Sequence, residues 1–506
     1  MESEWDPLDE PPSPPSFSSV FERDRHVSYL QMMYQLLPSP YQNQDINRLT
    51  LAYFVISGLR LLCALDCVDK DAVASWVLSL QAHPRNKAEL NDGQFYGFHG
   101  SRSSQFPPRS SGVSNHNGSH LASTYCALAI LKIVGYDFSN IDSETILTSM
   151  RNLQLPDGSF IPIHIGAETD LRFVYCAGKE IGMLGKFCIA VQISVLVDEI
   201  PKFLLVVSAA ICFMLEDWRG MDKEKAKEYI INCQSYDGGF GLIPGSESHG
   251  SFSAAGGATY CAVASLRLMG FIGADLLSNS STLSIINVPL LLNWILQVYS
   301  PHLIMEIHEG VAFKFEQLNK WTNIKRQATD GGFQGRPNKD SDTCYAFWIG
   351  AVLRILGGHK FIDENALRGF LLTCQSELYH LCPYAQGMGI LWAVDGSHAS
   401  YMEKGNKLPL MVTESSLPCL IVPCETALAI YWVNCLLYGL LISVQPMELD
   451  GTSDSGMYGG FSKFPGQVPD LYHSYYGFTA FSLLGESGMS SLCAELGIAT
   501  LAATGL

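Results

Sequence analysis

Four short phrases recur along this chain: Asp157-Gly-Ser-Phe160, Asp237-Gly-Gly-Phe240, Asp330-Gly-Gly-Phe333 and Tyr458-Gly-Gly-Phe461. A glutamine stands three residues before the aspartate in the first three. Apolar, helix-favouring runs that stop at a glycine follow the later ones, as in Ala262–Gly270, Gly350–Gly357 and Gly477–Gly485. From phrase to closing glycine is 27 positions in two units, Asp330 to Gly357 and Tyr458 to Gly485. A glycine just past an apolar helical stretch is the usual left-handed cap, so each unit reads as a tight turn entering a buried helix. Repetition on this scale predicts stacked copies of one helical unit.

The stretches between agree. Asn47 to Val68 and His120 to Gly135 are apolar nearly all round, which suits helices buried between neighbours. No segment alternates with hairpin turns, so few strands are expected. The fold class predicted is all-α, helix pairs wound into a ring. At 506 residues and 47% hydrophobic content the chain can bury a large core. A net charge of -17 argues against nonspecific nucleic-acid binding. The 15 cysteines are scattered through apolar segments with no secretory signal ahead of them, so they read as reduced thiols of a cytoplasmic protein. Residues 1–24 are acidic and rich in proline and serine, and are expected to be a disordered lead-in.

The string Gly335-Arg-Pro-Asn-Lys339, the following Asp342-Thr-Cys344-Tyr345-Ala-Phe-Trp348 and the downstream Pro469-Asp-Leu-Tyr-His473 resemble the β subunits of protein prenyltransferases. The resemblance is closest to the plant type I geranylgeranyltransferase branch and runs, with interruptions, from about Arg25 to Gly485. It implies an α/α barrel of about six helix pairs over 25–490, followed by a tail at 491–506. It also implies an obligate prenyltransferase α subunit as partner.

The resemblance implies that Asp342, Cys344 and His473 bind one zinc ion. Carboxylate, thiolate and imidazole leave a fourth tetrahedral position open, the pattern of a reactive site. A substrate thiol placed there would be held as thiolate near neutral pH, where an ordinary cysteine with a pKa of about 8.5 is mostly protonated. A buried cysteine and a satisfied histidine are the alternative reading of these residues taken singly. Their shared place at the mouth of equivalent helices favours the metal. His249, Arg336, Lys339 and Tyr345 match the diphosphate-binding set of the resemblance. Lys463 stands where farnesyl-transferring relatives carry a magnesium-binding aspartate, so catalysis is expected without Mg²⁺.

Thr50 occupies the place of a bulkier tryptophan in the farnesyl branch and implies room for a twenty-carbon lipid. Phe54 and Trp348 would line the lipid pocket. Tyr472 instead resembles the farnesyl branch. His120, Glu168 and Arg172 match the residues around the C-terminal carboxylate of Cys-a-a-X substrates; an ion pair between Glu168 and Arg172 and core packing of the aromatics are the competing readings.

Four runs lack repeat character: 178–208, 251–256, 298–325 and 377–457. Asp237 to Gly270 spans 33 positions, six more than its counterparts. The last run includes an uncharged stretch, 426–444, of membrane-span length, but its isolation inside a repeat array argues against a span. The runs read as retained non-coding sequence or an unusual splice form. The functional expectation is transfer of geranylgeranyl from its diphosphate to Cys-a-a-X proteins, small GTPases ending in leucine above all. Farnesyl transfer and an inactive helical scaffold are the alternatives.

Overall fold

The computed structural model describes residues 20–38, 41, 44–104, 118–164, 200–241, 243–246, 255–273, 285–296, 327–335, 339–376 and 459–503. Of the site residues expected from sequence, His249, Arg336, Glu168 and Arg172 lie outside these, as do 377–457 and most of the other unmatched runs.

Thirteen α-helices are present among the described residues, and twelve of them form two concentric sets. The outer set is α1 (Arg23–Gln35), α3 (Lys70–Leu78), α5 (Ser143–Met150), α7 (Lys223–Asn232), α9 (Val288–Leu296) and α11 (Glu364–Cys374). The inner set is α2 (Arg48–Leu61), α4 (Leu121–Val134), α6 (Ile200–Met214), α8 (Ala255–Leu268), α10 (Thr343–Leu356) and α12 (Leu471–Leu483). Each inner helix packs on the next, and α12 packs back on α2, so the ring is closed. The expected α/α barrel of six helix pairs is what the chain forms. Inner helices are apolar all round because outer helices cover one side and the ring's interior the other; in α10 only Tyr345 and Arg354 escape full burial. Among the described residues the strands are a two-residue pair, β1 (Leu492–Cys493) and β2 (Ile498–Ala499), ahead of the short helix α13 (Thr500–Ala503).

The repeated phrase has three jobs, one per kept residue. Its phenylalanine is fully buried, Phe160, Phe240, Phe333 and Phe461 alike, and bridges back to the glutamine. Truncating one such ring to alanine costs about 3–5 kcal/mol. Its glycine lets the turn touch the next outer helix: at Gly158, Gly238 and Gly331, with φ of +96°, +99° and +88°, an added Cβ would fall 2.1–2.2 Å from a backbone carbonyl of α7, α9 and α11 respectively.

The glutamine is a clasp. Gln154 Nε2 donates to the Asp222 carbonyl at 3.0 Å, and Asp222 N donates back to its Oε1 at 2.7 Å. Gln234 does the same with Asn287, and Gln327 with Asp363. These partners precede the next outer helix and cap it through Lys225 N, Leu290 N and Ala366 N. Gln375 closes the circle by accepting from Glu22 N at 3.0 Å and donating to the Val20 carbonyl at 3.1 Å, which ties the last unit to the start of α1.

The same pairing measures one interruption. Gln154, Gln234 and Gln327 each bridge a phenylalanine six positions on, whereas Gln375 bridges Phe461, eighty-six positions on. The fourth unit therefore carries eighty residues more than its counterparts. Two other unmatched runs overlap described helix: α6 begins at Ile200, so the expected boundary at 208 falls inside a continuous helix, and α8 begins at Ala255. No helix among the described residues is long and apolar enough to cross a membrane, and 426–444 lies outside them.

Candidate metal centre and lipid cavity

Two aspartates at the starts of neighbouring inner helices build the centre. Asp342 caps α10, its Oδ1 accepting from Cys344 N at 2.9 Å. Asp470 caps α12, its Oδ1 accepting from His473 N at 2.8 Å. Each cap fixes the first turn of its helix, and that places Cys344 and His473 facing one another. The Asp342 carboxylate, the Cys344 sulfur and the His473 imidazole are all buried, with ligand atoms within 4.8 Å of one another. His473 Nε2 lies 3.5 Å from Asp342 Oδ1.

Asp470 has a second function that sequence inspection did not assign. Its Oδ2 lies 2.6 Å from His473 Nδ1, so Nδ1 donates to it and Nε2 is turned to the cluster, where a bound metal would displace the Nε2 proton. The signal was present in the sequence as Asp470-Leu-Tyr-His473, an N-cap aspartate spaced much like Asp342-Thr-Cys344.

The three groups form a carboxylate–imidazolium pair beside a protonated thiol. Burial alone would push Asp342 up, but hydrogen bonding to His473 and Cys344 and the His473 charge hold it below the usual carboxylate range. Burial would lower His473, yet the Asp342 and Asp470 carboxylates lift it to about 9. Burial, then the neighbouring Asp342 charge, push the Cys344 thiol well above its ordinary value. A buried thiol beside a carboxylate becomes a thiolate only when a positive charge arrives. The donor set of one S, one N and one O, converging in a buried place, fits Zn²⁺.

Lys463 joins this centre. Its Nζ stands 3.8 Å from Asp342 Oδ2, and its carbonyl accepts from Thr343 N at 3.2 Å. Tyr345 is partly buried and lies over Gly335, where an added Cβ would meet its ring at 2.0 Å. Lys339 is exposed. His120 caps α4, its Nδ1 accepting from Ala122 N at 3.0 Å, and burial pushes its pKa down to about 4, so the ring is neutral.

An apolar cavity lies within the ring. Thr50, Phe54 and Trp348, expected apart in sequence to line one lipid pocket, all line it. Trp348 Nε1 is buried there without a hydrogen-bond partner. A chain of rings joins cavity to cluster. Trp348 meets Tyr476 at 4.6 Å, Tyr476 meets Tyr472 at 4.7 Å, and Tyr472 meets His473 at 4.9 Å between centroids.

Fold and site together define an α/α-toroid protein with an acid, thiol and imidazole donor set beside an apolar cavity. Residues 21–381 and 449–498 match the prenyltransferase alpha-alpha toroid domain, which leaves out 382–448. The chain is 51% identical over 496 residues to the geranylgeranyl transferase type-1 subunit beta of Arabidopsis thaliana, covering 98% of this chain and 94% of that one. It is 32% identical over 371 residues to the protein of the same name from Dictyostelium discoideum, covering 71% and 84%. The solved Candida albicans protein geranylgeranyltransferase-I complexed with GGPP shares the fold, with a TM-score of 0.57, 18% identity and coverage of 95% and 97%. The chain belongs to the prenyltransferase alpha-alpha toroid family.

Proposed function

We propose that this chain is the catalytic β subunit of a zinc-dependent type I protein geranylgeranyltransferase. It works with a prenyltransferase α subunit in the cytoplasm and joins geranylgeranyl to the cysteine of C-terminal Cys-a-a-X proteins, small GTPases with leucine at X above all. The observation that carries this reading is the convergence of Asp342, Cys344 and His473 within 4.8 Å. Zinc held by these three residues would supply the charge that keeps a substrate sulfur as thiolate near neutral pH.

The chain's own groups supply the rest. Asp470 orients His473, and the cavity lined by Thr50, Phe54 and Trp348 shelters the isoprenoid from water. As sulfur bonds to the first carbon of the lipid, the carbon–oxygen bond breaks and its electron pair leaves with the diphosphate. Lys463, with His249, Arg336, Lys339 and Tyr345, meets that growing negative charge, an interaction stronger in the transition state than before it. The Lys463 ammonium beside Asp342 takes the place of a second metal, so Mg²⁺ is not required. His120, Glu168 and Arg172 receive the substrate's terminal carboxylate. The names of the Arabidopsis and Dictyostelium relatives support the twenty-carbon choice.

Single-turnover prenylation by the co-expressed heterodimer tests the reading. Geranylgeranyl and farnesyl diphosphates compete at equal concentration for a Cys-a-a-Leu peptide, with and without Mg²⁺. Geranylgeranylated peptide should dominate, at a rate that Mg²⁺ leaves unchanged. Dominant farnesyl product, or a requirement for Mg²⁺, would contradict it.

A further inference from the structure

The segment that the repeat pattern leaves as a tail after 490 contributes a wall to the cavity through Glu495, Leu496 and Gly497. Between β1 and β2 the chain turns at Ala494–Gly497, and Glu495, Leu496 and Gly497 line the same cavity as Thr50. The turn is held by hydroxyls of four inner helices. Tyr260 of α8 donates to the Ala494 carbonyl at 2.9 Å, Tyr125 of α4 donates to the Leu496 carbonyl at 2.6 Å, and Tyr475 of α12 donates to the Gly497 carbonyl. Tyr53 of α2 lies 3.0 Å from the Tyr125 hydroxyl and 2.8 Å from that of Tyr475. Burying an irregular turn is costly unless its carbonyls find partners, and here four tyrosines supply them. Arg267 of α8 adds an ion pair with Glu495 at 3.3 Å. Leu496 is 2% exposed.

We infer that this clamped turn is the end stop of the lipid cavity and that Leu496, with Thr50, sets the length of prenyl chain the protein accepts. The inference rests on the geranylgeranyl reading above and adds a specificity residue to it. A stop made from a backbone pinned to four helices cannot yield to a longer chain. Lipid length is therefore read against Leu496 as well as against the wall at Thr50, whose Oγ1 accepts from Cys126 Sγ at 3.8 Å. Filling or emptying the Leu496 position changes the room at the chain's far end, where one methylene alters discrimination by about tenfold or more.

The test compares kcat/KM of the heterodimer for farnesyl, geranylgeranyl and twenty-five-carbon geranylfarnesyl diphosphates, with melting midpoints taken in parallel. Leu496→Phe should lower the twenty- to fifteen-carbon ratio by roughly tenfold or more. Leu496→Ala should raise the twenty-five- to twenty-carbon ratio by a similar factor, and it decides the matter if the Phe variant does not fold. Ratios within twofold of the unmodified protein's, in variants that fold, would overturn the inference. A preference of the unmodified protein for farnesyl would sink the geranylgeranyl reading and leave the end stop standing, because each ratio is judged against that protein.

Discussion

Replacing Asp470 with alanine removes two bonds at once, and the structure sets the size of each loss. The cap to His473 N at 2.8 Å is worth about 1 kcal/mol to helix stability. The contact with His473 Nδ1 at 2.6 Å fixes a ligand's tautomer and direction, and losing such a partner weakens metal binding about 10–100-fold. Asp470→Ala should therefore lower the melting midpoint slightly and the zinc affinity strongly. Asp470→Asn keeps an oxygen for the cap but no charge for the imidazole. It should melt near the parent and still hold zinc less tightly. Competition against a chromophoric zinc chelator, run beside thermal melting of the heterodimer, separates the two effects. An alanine variant that binds zinc as tightly as the parent would refute the assignment of His473 as an oriented ligand.

Lys463→Ala should leave zinc content unchanged and slow single-turnover transfer by about 10²-fold, the usual loss of one preorganised charge partner; an unaltered rate would remove Lys463 from the leaving-group site. Buried His26 accepts from Gly460 N at 2.8 Å and lies 3.0 Å from Gln375 Oε1, at the ring's closure, and burial lowers it to about 3. The unfolded chain then takes up the proton first as pH falls. Stability is thus whole above about pH 6.5 and declines by up to about 1.4 kcal/mol per unit from this group as pH drops toward 3. Melting midpoints at pH 7 and 5 should diverge less in His26→Gln than in the parent, and equal divergence would contradict the assignment. Joining residue 377 directly to 458 removes the eighty surplus residues, and the shortened chain should fold and hold zinc as the parent does. Failure of that chain to fold would show that those residues belong to the ring.

The ring was legible in the sequence because Gln, Gly and Phe of the repeated phrase each perform a task that no other residue performs there: the clasp, the close approach to the next helix and the buried plug. Asp342, Cys344 and His473 were named from the resemblance to prenyltransferase β subunits, and their shared place at the mouths of equivalent helices fits the cluster they form. Asp470 was visible but read only as part of a string. Its bond to Nδ1 depends on the first-turn geometry of α12, which spacing alone does not supply. The run ending at 208 has no edge in the structure, because α6 continues from Ile200 to Met214. The closing turn at Ala494–Gly497 left no pattern either. Its partners are hydroxyls of Tyr53, Tyr125, Tyr260 and Tyr475, each inside a helix that reads simply as apolar.

X-ray absorption at the zinc edge of the purified heterodimer addresses the centre itself. The account predicts one zinc per β chain, with a single sulfur neighbour at about 2.3 Å and nitrogen and oxygen neighbours at about 2.0–2.2 Å, and loss of the sulfur shell in Cys344→Ser. Protein that transfers lipid with no bound zinc, or a zinc without sulfur in its shell, would contradict it.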